Sequence, residues 1–364
     1  MRLGLGLSLT NVRQAGAQSA GPATFTAGQI ADSNRNFQRA TTSGSTFGLG
    51  AGQVYIPVNV TAAGTIWART RGADGVTITQ APYLAVANAS VGNATIAIPG
   101  IAVRPEPMYV DLSPNGSTGW QNGTNLIGMG AIGVMAIVQS YDANSLNNPY
   151  LPSDTTLATA GITPKATARA RTGSLTAWTQ FSDASATLNS VGGAHWLNKA
   201  ADALGFTFGL VGHAVGGTTV EQWAPGSSNL NTALSQLSAA GGTAEFMYFG
   251  LGNSNVISAG GASYTNQMYD HVAQDGVTVL KGFITLFDAA IQTMIAANSY
   301  PNPTIIITSP PAPEGATSQL NEMLRRALED YAAAKGYRYL CNSDGKQYTD
   351  GSHPLGIGMM NHKE

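Results

Sequence analysis

Apolar residues along this chain change their spacing near position 128. Between 47 and 114 they alternate with polar ones in short runs, at 54–60, 65–70, 75–79, 94–98 and 108–112. A period of two predicts half-buried strands, and the Ala-Gly, Asp-Gly, Gly-Asn and Pro-rich stretches between them predict turns. Short strands at this spacing suggest a small antiparallel β-sandwich over 26–127. Trp67 and Tyr109 lie inside the alternating runs, so a core role is expected ahead of a sugar-stacking one. From 128 onward the apolar runs become continuous, at 132–138, 206–212, 245–252 and 304–310. Such runs are the mark of strands buried on both faces of a parallel sheet. Three- and four-residue spacing predicts helices over 194–204, 230–240, 277–297 and 318–335, and 337–340 supplies a fifth strand. The alternation predicts an α/β domain over 128–364 with a doubly wound parallel sheet, whose ligands bind at the carboxyl ends of the strands. Residues 141–190, rich in Ser, Asn, Thr and Pro, read as an insertion folded over that site. Residues 1–25 lack periodicity and read as an extended arm.

Composition narrows the function classes. Only 10% of the 364 residues are charged, against roughly 25% in an ordinary soluble protein. With 44 glycines, the surface is neutral and built of small groups. It suits a particle component or an extracellular, sugar-facing protein. The net charge of −2 argues against a nucleic-acid partner. Arg325 and Arg326, the only adjacent basic pair, fall on a helix and are expected to form a solvated face. The single cysteine, Cys341, follows an apolar run and reads as a buried thiol. No metal-ligand spacing is evident, so neither metal nor organic cofactor is expected. No apolar run reaches membrane-spanning length.

The strand ends carry the candidate chemistry. The first expected parallel strand runs into Gln139-Ser140-Tyr141, the second into Gly216-Gly217, the third into Asn253-Ser254-Asn255, and the last into Asp350-Gly351-Ser352-His353. A serine hydroxyl becomes a nucleophile when an imidazole takes its proton, and the imidazole needs a carboxylate to fix its tautomer. Ser140, His353 and Asp350 are the nucleophile, base and orienting acid of this reading. A developing oxyanion needs preorganised donors. Backbone amides at Gly216 and Gly217, unobstructed by side chains, and the carboxamide of Asn253 or Asn255 are the candidates. His213 is as fitting a structural residue as a second site histidine.

The order and spacing of these blocks resemble the SGNH (GDSL-like) hydrolase superfamily, closest to its carbohydrate-esterase branch of sialate O-acetylesterases and acetylxylan esterases. That branch has Gly-Gln-Ser-Asn at the nucleophile, where this chain has Val138-Gln139-Ser140-Tyr141. Its second block, Ala-Val-Gly-Gly-Thr followed by Trp, is matched by Ala214 to Thr218 and Trp223. Its third, Gln-Gly-Glu-Ser-Asp, is changed to Leu251-Gly252-Asn253-Ser254-Asn255, while Asp-x-x-His-Pro is intact at 350–354. The resemblance spans about residues 128–360. It implies an esterase that removes O-acetyl or another small acyl group from carbohydrate, with Gln139, Tyr141 and Trp223 facing the substrate. Leu251 replaces a donor of the oxyanion hole, a loss of about 100- to 1000-fold in rate where nothing substitutes. The alternative is a catalytically inactive SGNH-fold protein that binds a receptor or capsule. The first dozen residues resemble those of short structural proteins in tailed phages and gene-transfer particles. That likeness implies a virion fibre or spike acting on cell-surface polysaccharide, held to other virion proteins by the arm and present in repeated copies.

Overall fold

The computed structural model describes residues 21–28, 37–39, 51–138, 166–170, 178–180, 201, 203–257, 267–309 and 318–340. Its first part is all β. The strands are β1 (Thr24–Ala27), β2 (Phe37–Arg39), β3 (Ala51–Ala62), β4 (Gly64–Gly72), β5 (Ile78–Ala89), β6 (Gly92–Ala102) and β7 (Met108–Ser113). Two three-stranded antiparallel sheets form, in the orders β1-β3-β6 and β5-β4-β7. Their pattern is the alternation of the sequence made physical. Val54, Ile56, Val58 and Val60 of β3 are buried, while Tyr55 and Asn59 between them face solvent. β1 begins inside the stretch expected to be an arm, because its backbone pairs with β3 from Val58 to Ala62. The 75–79 run is mostly turn. The Asp74 carboxylate accepts from the Val76 and Thr77 amides, and Gly75 takes a φ of 72°.

The second part is a mixed sheet built on β8 (Gly128–Val138), all eleven residues of which are buried. With it come β9 (Ala166–Ala170), β10 (Thr179–Gln180), β11 (Thr207–Ala214), β12 (Phe246–Gly250), the hairpin β13 (His271–Val272) and β14 (Val279–Leu280), then β15 (Thr304–Thr308) and β16 (Arg338–Leu340). The sheet order is β10-β9-β11-β8-β12-β15-β16, and β2 also pairs with the start of β8. β11, β8, β12, β15 and β16 run parallel. In chain order these five strands read 2-1-3-4-5, the doubly wound arrangement whose switch point lies at its first strand, here β8. The stretch expected as an insertion thus gives two strands, β9 and β10, to the sheet edge.

Helices α1 (Ser228–Ala239), α2 (Asn253–Ile257), α3 (Phe283–Ala297) and α4 (Ser318–Lys335) connect the sheet strands. The helix expected from 277 starts only at Phe283. Before it, Asp275 accepts from the Val277 and Thr278 amides, and Gly276, at φ 73°, turns the chain into the β13–β14 hairpin. An Asp-Gly turn of this kind outcompetes helical periodicity. Leu237, Phe283, Phe287, Met294 and Leu328 pack on one sheet face around Met247, Phe249 and Ile307. The Tyr331 hydroxyl and the Lys335 ammonium both donate to Asp288, tying α4 to α3. Arg325 and Arg326 pair with Glu322 on their own helix. The opposite face of the sheet, with Met129, Ala131, Met135, Phe208 and Leu210, joins the core of the sandwich. Each fully buried large side chain adds about 1.5–3 kcal/mol. Gly133 makes one of the close packings possible, since a Cβ there would lie 1.9 Å from the Phe246 ring.

Candidate active site

The switch point puts three chain segments side by side. β8 ends at Val138, and β11 and β12 flank it with their own carboxyl ends. Gln139, Ser140, Tyr141, Asp350 and His353 lie outside the described residues. The described part of the site is the framework on either side of them.

Beyond β11 the chain turns sharply. The Val215 amide donates to the Val138 carbonyl at 3.2 Å, which fastens this turn to the end of the strand that leads to Ser140. Gly216 and Gly217 come next, both exposed. Gly217 has φ +68°, and among the described residues a Cβ there would meet nothing within 4 Å. Glycine is therefore demanded here by backbone conformation. Thr218 closes the turn. Its hydroxyl donates to the Val215 carbonyl at 2.8 Å and accepts from the Trp223 indole at 3.0 Å.

Trp223 corrects an expectation. It is 0% exposed and lies 5.2 Å from the His213 ring, itself buried in β11. An indole without accessible surface cannot stack on a sugar. It serves instead as the post to which Thr218, and hence the diglycine turn, is tied. Gln222 adds to the brace by accepting from the Thr219 amide at 2.9 Å.

The third block packs against the second. Leu251 is fully buried, so the position that carries a Gln donor in the carbohydrate-esterase branch here faces the core. Gly252 has φ +133°, and a Cβ there would come 2.6 Å from Leu324 of α4. Asn253 opens α2 and keeps 9% of its surface exposed. Asn255 is 1% exposed; it accepts from the Val220 amide at 2.9 Å and donates to the Glu221 carboxylate at 3.2 Å. Its carboxamide is thus engaged in bracing the second block. Of the two asparagines, Asn253 keeps the more surface.

Sequence reasoning placed Thr218 only within the second block and did not single out Glu221 and Gln222. Their signal is the Gly-Gly-Thr-Thr stretch followed by Trp, in which a hydroxyl five residues before an indole can close a turn. The sandwich presents a concavity of about 190 Å³, lined by Ile56, Val110, Leu112, Asn122, Thr124 and Asn125 among others. Trp67 is half-buried, with Gly116 laid directly against its ring, and Tyr109 sits 5.1 Å below the Arg71 guanidinium. Neither belongs to the core expected of it: both are half-buried, on the strand faces turned away from Ile66, Ala68 and Val110.

No family model matches the chain, and no curated protein matches it. Among solved structures it is similar to a carbohydrate acetylesterase from Xanthomonas citri, with a TM-score of 0.52 at 14% identity over 93% of this chain and 73% of that one. It is also similar to a protein from Arabidopsis thaliana, at a TM-score of 0.46 and 15% identity over 64% and 94% of the two chains. A catalytic mutant of an acetylxylan esterase from Geobacillus stearothermophilus aligns at 0.37 and 13% over 65% and 93%. With its five parallel strands, flanking helices and preceding antiparallel sheets, the chain has a doubly wound α/β fold similar to that of the Xanthomonas citri structure.

Proposed function

We propose that the chain is a serine esterase that removes O-acetyl or another small acyl group from carbohydrate. The observation that carries this reading is the exposed Gly216-Gly217 turn, fastened through Val215 to the end of β8, immediately before Gln139-Ser140. Ser140 Oγ attacks the ester carbonyl carbon while His353 takes its proton, and Asp350 orients the imidazole. The oxyanion is held by the glycine amides, with the Asn253 carboxamide as a further donor. Collapse of the tetrahedral intermediate releases the sugar hydroxyl, protonated by His353, and leaves an acyl-serine. Water, deprotonated by His353, then frees the carboxylic acid. The Asp-x-x-His-Pro sequence and the likeness in fold to a carbohydrate acetylesterase support the assignment.

Purified protein should release acetate from acetylated xylan or an aryl acetate, and Ser140→Ala and His353→Ala should each abolish turnover. Turnover unchanged in Ser140→Ala would remove the assignment. The setting belongs to the same proposal: a virion or virion-like particle, with the N-terminal arm joined to other virion proteins and repeated copies trimming surface polysaccharide. The neutral composition and the first dozen residues support it.

The burial of Leu251 favours a second reading, a capsule- or receptor-binding spike on the same fold without catalysis. It predicts polysaccharide binding that survives Ser140→Ala, with no acetate released by either protein.

A further inference from the structure

β8 holds one residue more than its neighbours. Along β11, His213 pairs with Ala136 but Ala214 pairs with Val138. Along β12, Tyr248 pairs with Met135 and Gly250 with Val138, so two steps on one strand match three on the other. The surplus residue is Ile137, whose φ of 55° is the only positive value at a non-glycine among the described residues. Side-chain placement gives the same answer independently. Met129, Ala131 and Met135 point to the sandwich side, and Ile132, Val134 and Ala136 point to the helix side. Ile137 then joins Ala136 on the helix side, and Val138 returns to the sandwich side. Two successive residues share a face, and the alternation is inverted from there on.

A β-branched side chain in the left-handed region is disfavoured, and such strain persists where the surrounding structure enforces it. Here Ile137 is completely buried. A bulge bends its strand and re-aims the residues beyond it, and a one-residue slip moves every later side chain to the other face. Three residues after Ile137 comes Ser140.

We propose that Ile137 is a positioning residue: its bulge sets the phase in which β8 hands the chain on to Gln139-Ser140, and the reactivity of the serine depends on that phase. The inference rests on the esterase reading and adds to it the strand feature on which turnover depends. It acts through backbone phase, and the side chain serves to fill the core.

The test compares deletion of Ile137, which makes the ladder regular, with Ile137→Gly, which keeps a residue able to hold positive φ. Steady-state kinetics on an aryl acetate and the rate of serine labelling by a fluorophosphonate are read on protein shown to be folded by circular dichroism. Deletion should lower kcat and the labelling rate by about 100-fold or more, the scale of a misplaced reacting group, with KM little changed. Ile137→Gly should melt at a lower temperature but retain most of kcat. Wild-type kcat in the deletion variant would overturn the inference. So would a loss of kcat in folded Ile137→Gly as deep as that of the deletion. If the deletion variant does not fold, Ile137→Gly decides alone, retained kcat supporting the inference and an approximately 100-fold loss overturning it. Wild-type protein and Ser140→Ala run alongside separate the two claims, since an inert wild type sinks the esterase reading itself.

Discussion

The Asn255 carboxamide accepts a hydrogen bond from the Val220 amide at 2.9 Å across 35 positions of sequence, joining the segment after β12 to the segment after β11. β8 runs between the two strands and both segments lie at its carboxyl end, so this bond spans the switch point of the sheet. The same side chain donates to Glu221, so both polar atoms of the amide are used to hold the diglycine turn.

Asn255→Ala removes both bonds and leaves the buried Val220 amide without its acceptor. The expected cost is about 1–3 kcal/mol of stability, together with a fall in kcat as the turn loosens. Urea denaturation and aryl-acetate kinetics on the same preparation would check both. A variant as stable as the wild type would show that the bond does not brace the loop.

Gly217→Ala and Gly252→Ala separate two reasons for glycine. At Gly217 a methyl meets no atom of the described residues within 4 Å but must sit at φ +68°, a cost of about 1–2 kcal/mol. At Gly252 φ +133° lies outside even the left-handed region, and the methyl drives into Leu324, which adds about 1–3 kcal/mol of overpacking. Gly252→Ala should therefore melt lower than Gly217→Ala. Leu324→Ala should relieve part of the Gly252→Ala defect in a double-mutant cycle and none of the Gly217→Ala defect.

Acid stability should depend on Asp270. Its carboxyl is held down to about 2, from an ordinary 3.8, by the Thr285 hydroxyl, the Gly282 amide ahead of α3, and Lys281. A carboxylate depressed in the folded state adds stability that is fully present above its unfolded pKa and is lost as pH falls through its folded one. The window thus runs from about pH 4 down to about pH 2. Thermal melts of Asp270→Asn should sit below wild type near neutrality, and the gap should narrow across that window. A gap that stays constant from about pH 6 to about pH 2 would contradict the assignment.

Much of the fold was legible because burial writes itself into spacing. The fully buried β8, β11 and β12 were visible as continuous apolar runs, and β3 as strict alternation, since each pattern is the direct consequence of which faces are covered. Where local chemistry overrides periodicity, spacing misleads: the apolar positions from 277 continue the pattern of α3, yet the Asp275 carboxylate and Gly276 close a hairpin first. The site was legible only in its outline. Glycines at the end of β11 could be recognised because a turn there needs positive φ. Nothing in a single sequence says that Trp223 faces inward or that Asn255 is engaged by Val220, since both depend on partners brought together only by the sheet. Ile137 was hidden for a sharper reason. A bulge inside a continuous buried run leaves no mark on hydrophobic spacing, because both faces of the strand are covered.

Incubating the protein with a fluorophosphonate and locating the adduct by mass spectrometry tests the central claim most directly. One adduct per chain on Ser140, absent from Ser140→Ala and strongly slowed in His353→Ala, is the predicted result. A chain that stays unmodified, or is modified at another residue, would contradict it.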